Sequence, residues 1–442
     1  MKYTKLFNFL LDKNFSSTIL NNVAKLIRGP IAAFFIILYL NPVEQGYWYA
    51  FQSLLVFIAI GELGFSKIVT LKVSEYVTKL KGNKRTSIFK NNIKNLSSFI
   101  FINYILYFVI ALLSFFIIYI LVISFYNEWP QSLKETFFIC LLFSSLSLFN
   151  TLQGAIFYGL NLVYWKNIQE FIFGITFTAS LVLFLYLDYK IYSLVFSILL
   201  ANLSCQLFFI KYYIKWINKM FKYVDFNLGV NLIKDLKFLQ IKYGMVTLMS
   251  LYITNSIVPF AIKYFNPVLA GQIGFSYFII SSLTILSYTF FYIKYPNILE
   301  LINNNKLDEV YKKSKKYFIE INISLIVLFV LFFLLIDFVS LNIIEIKSRM
   351  LPINELLLIC ITQFILTNLG FFAAIVRGFQ VEPYWKLSLF QIFSTTGLYF
   401  VAFSTNSIYN LFLIDIFLHL LILFPFSLYL GKKQLTQIYA NR

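Results

Sequence analysis

Long runs of apolar residues alternate with short polar segments along the whole chain. Each run is about 20 residues long, and a helix of that length crosses the apolar core of a bilayer, which is about 30 Å thick. The runs predict twelve membrane helices, at residues 17–40, 45–67, 97–125, 136–160, 164–187, 191–213, 240–263, 269–294, 317–340, 354–378, 384–404 and 407–430. The pattern therefore predicts an all-α integral membrane protein.

Two halves of the chain repeat the same phrases, and the copies of each phrase are separated by about half of the 442 residues. The phrases are Tyr-x-Asn-Pro-Val-x-x-Gly at 39–46 and 264–271, Ala-Ile-x-x-Gly at 155–159 and 374–378, and Tyr-Trp-Lys at 164–166 and 384–386. They predict a tandem duplication of a six-helix unit. Because six is even, the two repeats are parallel. Duplicated membrane units are typical of secondary transporters, whose substrate sites lie between the repeats.

The repeat also sets the predicted domain boundaries. We expect a six-helix bundle at 1–214, a basic amphipathic linker on the cytoplasmic surface at 215–239, and a second six-helix bundle at 240–442. The twelve helices would then form two parallel six-helix repeats, an N-lobe and a C-lobe, around a central cavity.

Proline and glycine mark the predicted turns and hinges of this architecture. At the two outer turns Asn-Pro ends one helix and glycine permits a tight return. A Gly-Pro pair is expected to kink or unwind the first helix, and a Gly-x-x-Gly pair to close the second. The predicted structural hinges are Gly29, Pro30, Pro42, Gly46, Gly61, Gly64, Pro267 and Gly271.

Composition excludes a soluble protein, since 60% of the residues are hydrophobic, 13% are charged and the mean hydropathy is +0.78. The net charge of +18 follows from topology, because 30 of the 37 Lys and Arg residues lie at the two termini and in the connectors of one side. Basic connectors face the cytoplasm. We therefore expect a multi-pass protein of the bacterial inner membrane, with both termini cytoplasmic and no nucleic-acid partner.

The sequence lacks the motifs of ATP hydrolysis, zinc-dependent hydrolysis and serine hydrolases, and its three cysteines lie in separate predicted helices. We accordingly expect no enzyme activity, no metal site and no cofactor. Transport would instead be coupled to protons or sodium ions.

The first predicted helix carries polar residues that a bilayer tolerates poorly, since a basic side chain at the centre of a membrane helix costs about 2.5–3.5 kcal/mol. Asn21, Lys25 and Arg28 fall on one face of this helix, directly before Gly29-Pro30. A cationic stripe beside a broken helix fits a site for pyrophosphate or another anionic group. The alternative is that both basic side chains reach the inner membrane surface.

Glu62 lies inside the cytoplasmic end of the second predicted helix, at a depth similar to that of Lys25 in the first. A buried carboxylate requires a partner or a proton. Two interpretations remain: a protonation-linked gate in which pairing with Lys25 changes during transport, or a static ion pair between the two helices.

Three further residues are candidates for coupling or gating. Glu170 and Asp415 each lie within a turn or two of a helix end, where exposure to lipid headgroups also explains them. His419, the single histidine, follows Asp415 by one turn on the same face, as expected for a proton relay or for a structural pair. Arg377 lies at the inner end of the tenth helix and is a further candidate for substrate binding, although cytoplasmic placement of basic residues also accounts for it.

The first hairpin resembles that of the polysaccharide (O-antigen type) lipid-linked oligosaccharide flippases. The resemblance consists of Arg-x-Pro at 28–30, the Pro-x-x-x-Gly-x-Tyr turn at 42–47 and Gly-x-x-Gly at 61–64, together with the arrangement of twelve helices as six plus six. The superfamily of these proteins also contains multidrug and toxic-compound extrusion antiporters and the peptidoglycan-precursor flippases. The topology matches over the whole chain, and the motifs match mainly over 17–70.

The resemblance implies a V-shaped pair of bundles with a central cavity. It also implies alternating access that moves an undecaprenyl-pyrophosphate-linked oligosaccharide from the cytoplasmic to the outer leaflet for O-antigen or capsule synthesis. The implied partners are this lipid-linked substrate, membrane lipids, a polysaccharide polymerase and a chain-length regulator, and the protein would be a monomer. The alternatives are a cation-coupled exporter of drugs or other small molecules and, less consistent with the short outer connectors, a membrane polysaccharide polymerase.

Overall fold

We analysed a computed structural model of the chain, which describes residues 13–62, 64–82, 87–234, 236–303, 306–342, 347–379 and 383–440. Every regular element in these ranges is helical, as the apolar runs predict. The helices are α1 (Lys13–Tyr39), α2 (Pro42–Val56), α3 (Ile58–Glu62), α4 (Phe65–Gly82), α5 (Ser87–Phe125), α6 (Gln131–Ser145), α7 (Ser147–Gly159), α8 (Val163–Tyr186), α9 (Tyr192–Met220), α10 (Phe226–Lys234), α11 (Lys237–Asn255), α12 (Ile257–Tyr264), α13 (Pro267–Asn303), α14 (Leu307–Asn342), α15 (Ile353–Gly378), α16 (Trp385–Thr405), α17 (Ile408–Leu418) and α18 (Phe424–Ala440).

The described residues contain ten helices that are long and apolar enough to cross a membrane, and α11 and α12 form an eleventh candidate that bends by 46°. The predicted second span is interrupted instead. It divides at Phe57 into α2 and α3, which are 15 and 5 residues long. The protein is thus a multi-pass, all-helical membrane protein whose broken helices occupy the second and seventh of the twelve predicted positions.

Several helices continue well beyond their predicted ends. The third predicted helix begins at Ser87 rather than at 97, and the eighth ends at Asn303 rather than at 294. The added segments are rich in Lys, Asn and Glu, which are compatible with a helix but not with the apolar core of a bilayer. Hydropathy therefore detects where a helix leaves the lipid, and not where the helix ends.

Of the two outcomes expected at Gly29-Pro30, a kink or an unwound turn, the unwound turn does not occur. Helix α1 runs continuously from Lys13 to Tyr39 with Pro30 inside it. A proline removes one backbone hydrogen bond, which weakens a helix, but membrane helices tolerate this where neighbouring helices support the turn.

Both copies of the Asn-Pro phrase form the same helix start. The side-chain oxygen of Asn41 accepts a hydrogen bond from the backbone N–H of Glu44 at 2.9 Å, and that of Asn266 accepts one from Leu269 at 2.8 Å. Proline occupies the first helical position in each copy, where its missing N–H costs nothing. The duplication therefore conserves a capping structure and not only a sequence phrase.

The glycines of this phrase have a different role from the one predicted. Gly46 and Gly271 lie inside α2 and α13 rather than in the turns. A Cβ at Gly46 would lie 1.9 Å from the carbonyl oxygen of Pro267, and one at Gly271 would lie 3.0 Å from the backbone nitrogen of Gly46. The glycines are thus required because the two copies of the phrase contact each other through their backbones.

The chain divides into two compact units, unit 1 (1–40 and 51–251) and unit 2 (41–50 and 252–442). Unit 2 includes the first nine residues of α2, so that the outer turn of the first repeat packs with the second. Within each unit the glycine of the Ala-Ile-x-x-Gly phrase is packed closely. A Cβ at Gly159 would contact Val73 of α4, and one at Gly378 would contact Ile302 of α13.

The linker between the repeats contributes helix α10 to unit 1. The carboxylate of Asp225 lies 2.8 Å from Nζ of Lys94 in α5, and its backbone N–H donates to Oγ of Ser98 at 2.8 Å. The carboxylate also accepts from the N–H of Leu228 at 3.1 Å, which caps α10. The side chains of 215–221 and 237–239, which carry much of the predicted amphipathic pattern, lie outside the described ones.

Candidate functional site

Helix α1 packs along helix α8, and their contact is polar. We call this contact the α1–α8 seam and define it by the residues whose side chains meet there. They are Asn21, Lys25 and Arg28 of α1 and Lys166, Asn167, Glu170 and Gly174 of α8. The side-chain amide of Asn167 extends the seam by donating to the hydroxyl oxygens of Ser17 and Thr18.

Glu170 is the centre of this seam. Its Oε2 accepts hydrogen bonds from Nζ of Lys25 at 2.6 Å and from Nδ2 of Asn21 at 2.7 Å, while its Oε1 lies 3.3 Å from Nζ of Lys166. Exposure to lipid headgroups was expected of Glu170, but its carboxylate also has protein partners, namely two lysines and the side-chain amide of Asn21. The side chains of Lys25 and Glu170 remain 49% and 34% exposed, so that a ligand can reach them.

The guanidinium of Arg28 packs against Gly174 of α8. A Cβ at Gly174 would lie 0.7 Å from Nη1 of Arg28, which means that the guanidinium fills the space above this glycine. Its Nη1 donates to the backbone oxygen of Glu170 at 3.4 Å, and its Nε donates to the backbone oxygen of Ala24 at 3.1 Å. Arg28 is the thirteenth residue of the 24-residue candidate span Ser16–Tyr39 and so lies near the middle of that span.

The seam carries an excess of positive charge. Lys25, Arg28 and Lys166 surround one carboxylate, that of Glu170, so three positive groups and one negative group leave the described residues of the seam with a net positive charge. A guanidinium offers five N–H donors, and the bonds described here use two nitrogens of Arg28. The arrangement can therefore bind an anion with several oxygens, such as a phosphate, by charge-assisted hydrogen bonds.

Lys25 pairs with Glu170 in this structure, so the static Lys25–Glu62 pair is not present, whereas a pairing that changes during transport stays a prediction. Glu62 is buried, and its Oε1 accepts the backbone N–H of Ser66 at 2.8 Å in the first turn of α4. It thereby caps a helix start whose N–H groups lack helical partners. The hydroxyl of buried Tyr107 lies near the same carboxylate. Glu62 thus stabilises the break between α3 and α4.

The Gly-x-x-Gly pair explains why the chain breaks at this point. Gly64 has a φ of 66°, a left-handed conformation that glycine adopts without strain. A Cβ at Gly61 would lie 2.9 Å from Cβ of Ser114, so that α3 packs closely on α5. The second helix was predicted to run to residue 67, whereas α3 ends at Glu62 and a further helix, α4, starts at Phe65.

Unit 2 contains a separate ionisable pair. Nδ1 of His419 lies 3.2 Å from Oδ1 of Asp415 and 2.8 Å from the backbone oxygen of the same residue. The exposed fractions of the His419 and Asp415 side chains are 2% and 16%, and the exposure of Asp415 to lipid headgroups stays a prediction. Nε2 of His419 lies 3.2 Å from Nε2 of Gln391 in α16. Arg377 lies elsewhere in unit 2, with its guanidinium 5.9 Å from the ring centre of Tyr384.

Sequence analysis missed Gly174 and Gln391. Gly174 follows Glu170 by four residues on the same face of α8. A glycine one turn from a carboxylate in a membrane helix could have indicated that a large side chain of another helix packs there. Gln391 had no such signal, because its contact with His419 depends on how α16 and α17 pack.

No protein-family model matches the sequence, and no curated protein matches it. Solved structures do resemble the fold. One, described as the inward-facing conformation of a multidrug resistance MATE family transporter of the MOP superfamily, has 14% sequence identity and a TM-score of 0.60, over 93% of this chain and 96% of that one. An outward-facing conformation described in the same terms has 15% identity and a TM-score of 0.53, over 94% and 96%.

A third structure is a MOP superfamily transporter from Pyrococcus furiosus, described as having a binding pocket of reverse polarity that suggests a different function. It has 14% identity and a TM-score of 0.51, over 94% of this chain and 96% of that one. At such low identity these matches show the fold alone. The chain thus has the two-lobed, all-helical fold of the MATE transporters.

Proposed function

We propose that the protein is a secondary exporter that works by alternating access, and that the α1–α8 seam binds an anionic group of its cargo. The MATE-type fold and the duplicated six-helix unit support transport as the function. The observation that carries the cargo assignment is the excess of cations around Glu170, with Arg28 seated at the middle of a membrane span.

The energetic cost of the seam supports a binding role. Three basic groups within one pair of membrane helices are unfavourable unless each is paired or solvated. Glu170 can compensate one of them. An anionic ligand would compensate the others, and the exposed fractions of Lys25 and Glu170 leave it a path to the site.

The cargo we propose is a polyprenyl-diphosphate-linked oligosaccharide, moved from the cytoplasmic to the outer leaflet of the bacterial inner membrane. Diphosphate oxygens match the fork of donors of a guanidinium. The lipid tail of such a cargo stays in the bilayer while its head group crosses. In this role the protein would act with a polysaccharide polymerase and a chain-length regulator.

A multidrug exporter is the second candidate, and one observation favours it. Glu170 is a membrane carboxylate whose main partner, Lys25, is half exposed and therefore displaceable. If Lys25 moved away, Glu170 would attract a cationic drug. Two structures with the same fold are described as multidrug transporters.

The two functions are separated by Arg28→Ala and Glu170→Gln in a bacterial strain that lacks the native gene. An anionic cargo predicts that Arg28→Ala abolishes surface polysaccharide at normal protein abundance, and that Arg28→Lys restores part of it, because an ammonium cannot form the bidentate contact. Lys386→Ala, which changes a basic residue in unit 2, is the control. Full polysaccharide export by Arg28→Ala would overturn the anion site, and loss of drug resistance only in Glu170→Gln would favour the second candidate.

A further inference from the structure

We propose that His419, held by Asp415 and Gln391, is a proton-binding site in unit 2 that takes up and releases a proton at its Nε2 atom. The use of this proton in a transport cycle rests on the proposed function. The binding of the proton does not, since it follows from the contacts of one imidazole ring.

The contacts of Nδ1 fix one hydrogen on that atom. Its two neighbours are the backbone oxygen of Asp415 at 2.8 Å and the carboxylate oxygen Oδ1 of the same residue at 3.2 Å. A carbonyl oxygen can only accept, so Nδ1 carries a hydrogen in both states of the ring. The proton that comes and goes therefore binds at Nε2.

Gln391 can satisfy Nε2 in either state. The nearest polar atom to Nε2 is the side-chain amide of Gln391, placed with its nitrogen 3.2 Å away. In that orientation the amide donates to a neutral ring. When Nε2 takes up a proton, rotation of the amide by half a turn presents its oxygen as the acceptor. A purely apolar neighbour would favour the neutral ring alone.

The negative charge of the Asp415 carboxylate stabilises the protonated ring of His419 in its buried position. The histidine side chain is 2% exposed, and an isolated imidazolium there would be strongly disfavoured. A carboxylate 3.2 Å from Nδ1 compensates the positive charge. Asp415 is 16% exposed, more than the histidine, and thus offers the more accessible end of the pair to an incoming proton.

The backbone at His419 departs from the α-helix. A single π-helical turn runs from His419 to Leu423 between α17 and α18, and the N–H of Phe424 donates to the carbonyl oxygen of His419, five residues back. Such π turns are frequent at functional sites because they re-aim a side chain at a small cost in helix stability. This turn begins at the residue that would bind the proton.

The other described groups around the pair are hydroxyls, apolar side chains and, beyond the ring of Tyr384, the guanidinium of Arg377. Tyr277 of α13 and Tyr399 of α16 interact with Asp415, and the Tyr399 hydroxyl lies 2.6 Å from Oγ of Ser256. From α15, Val376 packs with Leu423, and Tyr384 joins this cluster with Arg377 above its ring. The charge of Asp415 is thus available to the histidine rather than to an adjacent base.

The single histidine permits a direct test. The protein is labelled with ¹⁵N-histidine, purified through an affinity tag that contains no histidine, and placed in lipid nanodiscs. Its NMR spectrum then contains ring signals from one histidine, and these signals report the protonation of Nε2 as the pH changes from 5 to 9. We expect one titration in this range. A ring that stays in one state throughout would overturn the proposal, and this arm requires no variant.

Variants then test the role of each neighbour. Asp415→Asn should lower the proton affinity of His419 by about tenfold or more, because it removes the compensating charge. Glu320→Gln neutralises a more exposed carboxylate that binds Lys294 elsewhere in unit 2, and it should leave the titration unchanged. If both variants changed the proton affinity of His419 equally, or if Asp415→Asn did not change it, the proposed specific pairing of Asp415 with His419 would be contradicted.

A transport assay connects the site to the cycle. His419→Gln keeps a polar side chain but cannot take up a proton, so export should lose its dependence on pH while Arg28→Ala loses export at every pH. If the ring titrates and export is insensitive to His419→Gln, the proton site stands and its coupling to export is overturned. If the ring does not titrate, the proton site fails while the anion site at Arg28 is unaffected.

Discussion

The same pair of helices, compared between the two repeats, meets through charged side chains in the first repeat and, in the contacts of the described residues, through hydroxyls in the second. In unit 1 the helix before the Asn-Pro turn, α1, meets the helix that begins with Tyr-Trp-Lys, α8, through Lys25, Arg28 and Glu170. In unit 2 the counterparts meet through neutral hydroxyls. Tyr252 of α11 contacts Thr396 of α16 at 2.8 Å, and Ser256 contacts Tyr399 at 2.6 Å.

The Tyr-Trp-Lys phrase shows how this difference arose. In α8 the lysine, Lys166, has Glu170 one turn later and lies 3.3 Å from it. In α16 the corresponding Lys386 has Phe390 at that position, and its ammonium lies over the ring of Trp385 instead, 5.4 Å from the ring centre. Both repeats thus share this helix start and differ one turn later, where α8 has Glu170 and α16 has Phe390.

The comparison indicates which parts of the duplicated unit were fixed and which could diverge. Capped helix starts and close glycine contacts are the same in both repeats, because they determine how helices pack. The ionisable groups differ, and in unit 2 they lie on α17 at Asp415 and His419. One scaffold thus holds a cationic seam in one unit and an acid–histidine pair in the other.

The largest effect on export is expected for Gly174→Ala. This variant tests whether the function of the charged seam depends on the packing of Arg28 against Gly174. The new methyl group would overlap Nη1 of Arg28 and displace the guanidinium, which is the end of a flexible side chain and can move with little loss of stability. We expect export to fall at least about tenfold while the thermal unfolding temperature changes little. The matched variant is Gly397→Ala in α16.

Gly397 has open space where a Cβ would be, so alanine there should stabilise the helix by about 0.5–1 kcal/mol and leave export intact. Unfolding temperatures in detergent and export in cells are measured for both variants. If Gly174→Ala leaves export intact, as is expected of Gly397→Ala, then export does not depend on the packing of Arg28 against Gly174. The α1–α8 seam would then tolerate an added methyl group as well as α16 does.

The second prediction compares two carboxylates of almost equal exposure, Glu170 at 34% and Glu320 at 36%. Neutralising either by substitution with glutamine leaves lysine partners uncompensated. The expected cost is about 1–2 kcal/mol, below that of a fully buried pair because both sites are partly exposed. Stability should therefore fall similarly in the two variants, while export changes only in Glu170→Gln. Equal loss of export would show that the seam has no special role.

The sequence allowed much of the scaffold to be predicted, because its rules are local. Helical periodicity placed Asn21, Lys25 and Arg28 on one face, and Asn-Pro chemistry located the outer turns. The partner of Lys25 could not be predicted in the same way. Adjacent helices were expected to pair, which suggested Glu62, whereas α1 packs along α8 and brings Glu170 to the lysine.

The remaining errors have the same physical origin. Gly46 and Gly271 were assigned to turns, since a sequence does not show that two helices approach within backbone contact. Pro30 was expected to kink or unwind α1 because the cost of a proline is local; the turn stays helical because the support from neighbouring helices is not local. Contacts between distant segments determine the site, and hydropathy or spacing contains little information about them.

The third prediction concerns the neutral seam of unit 2. Tyr399→Phe removes the hydroxyl that contacts Ser256 and keeps the ring, which stacks on Phe260 at 4.5 Å between centres. Loss of one buried hydrogen bond should cost about 1 kcal/mol. A double-mutant cycle with Ser256→Ala, read by thermal unfolding, isolates the contact. A coupling near zero would mean that packing alone holds this seam.

The smallest effect is expected for an ion pair outside the membrane, Asp225 with Lys94. The hydrogen bond from Lys94 and the backbone N–H of Leu228 hold the pKa of Asp225 below its usual value. A carboxylate with a depressed native pKa stabilises the fold above its unfolded pKa of about 4, and this stabilisation is lost as pH falls through the native pKa. At neutral pH, Asp225→Asn should therefore lower the unfolding temperature slightly and leave export unchanged.

The difference in unfolding temperature between wild type and Asp225→Asn should close as pH is lowered from 7 to 3, because the wild-type carboxyl then also becomes neutral. Glu75→Gln is the control. Its carboxylate binds Lys72 and Lys79 of the same helix, which depress its pKa likewise, but it joins no separate segments. A larger effect of Asp225 than of Glu75 would show that the pair holds α10 on α5. A difference that persists at pH 3 would mean that shape rather than charge is responsible, whereas in the α1–α8 seam charge itself is the expected source of binding.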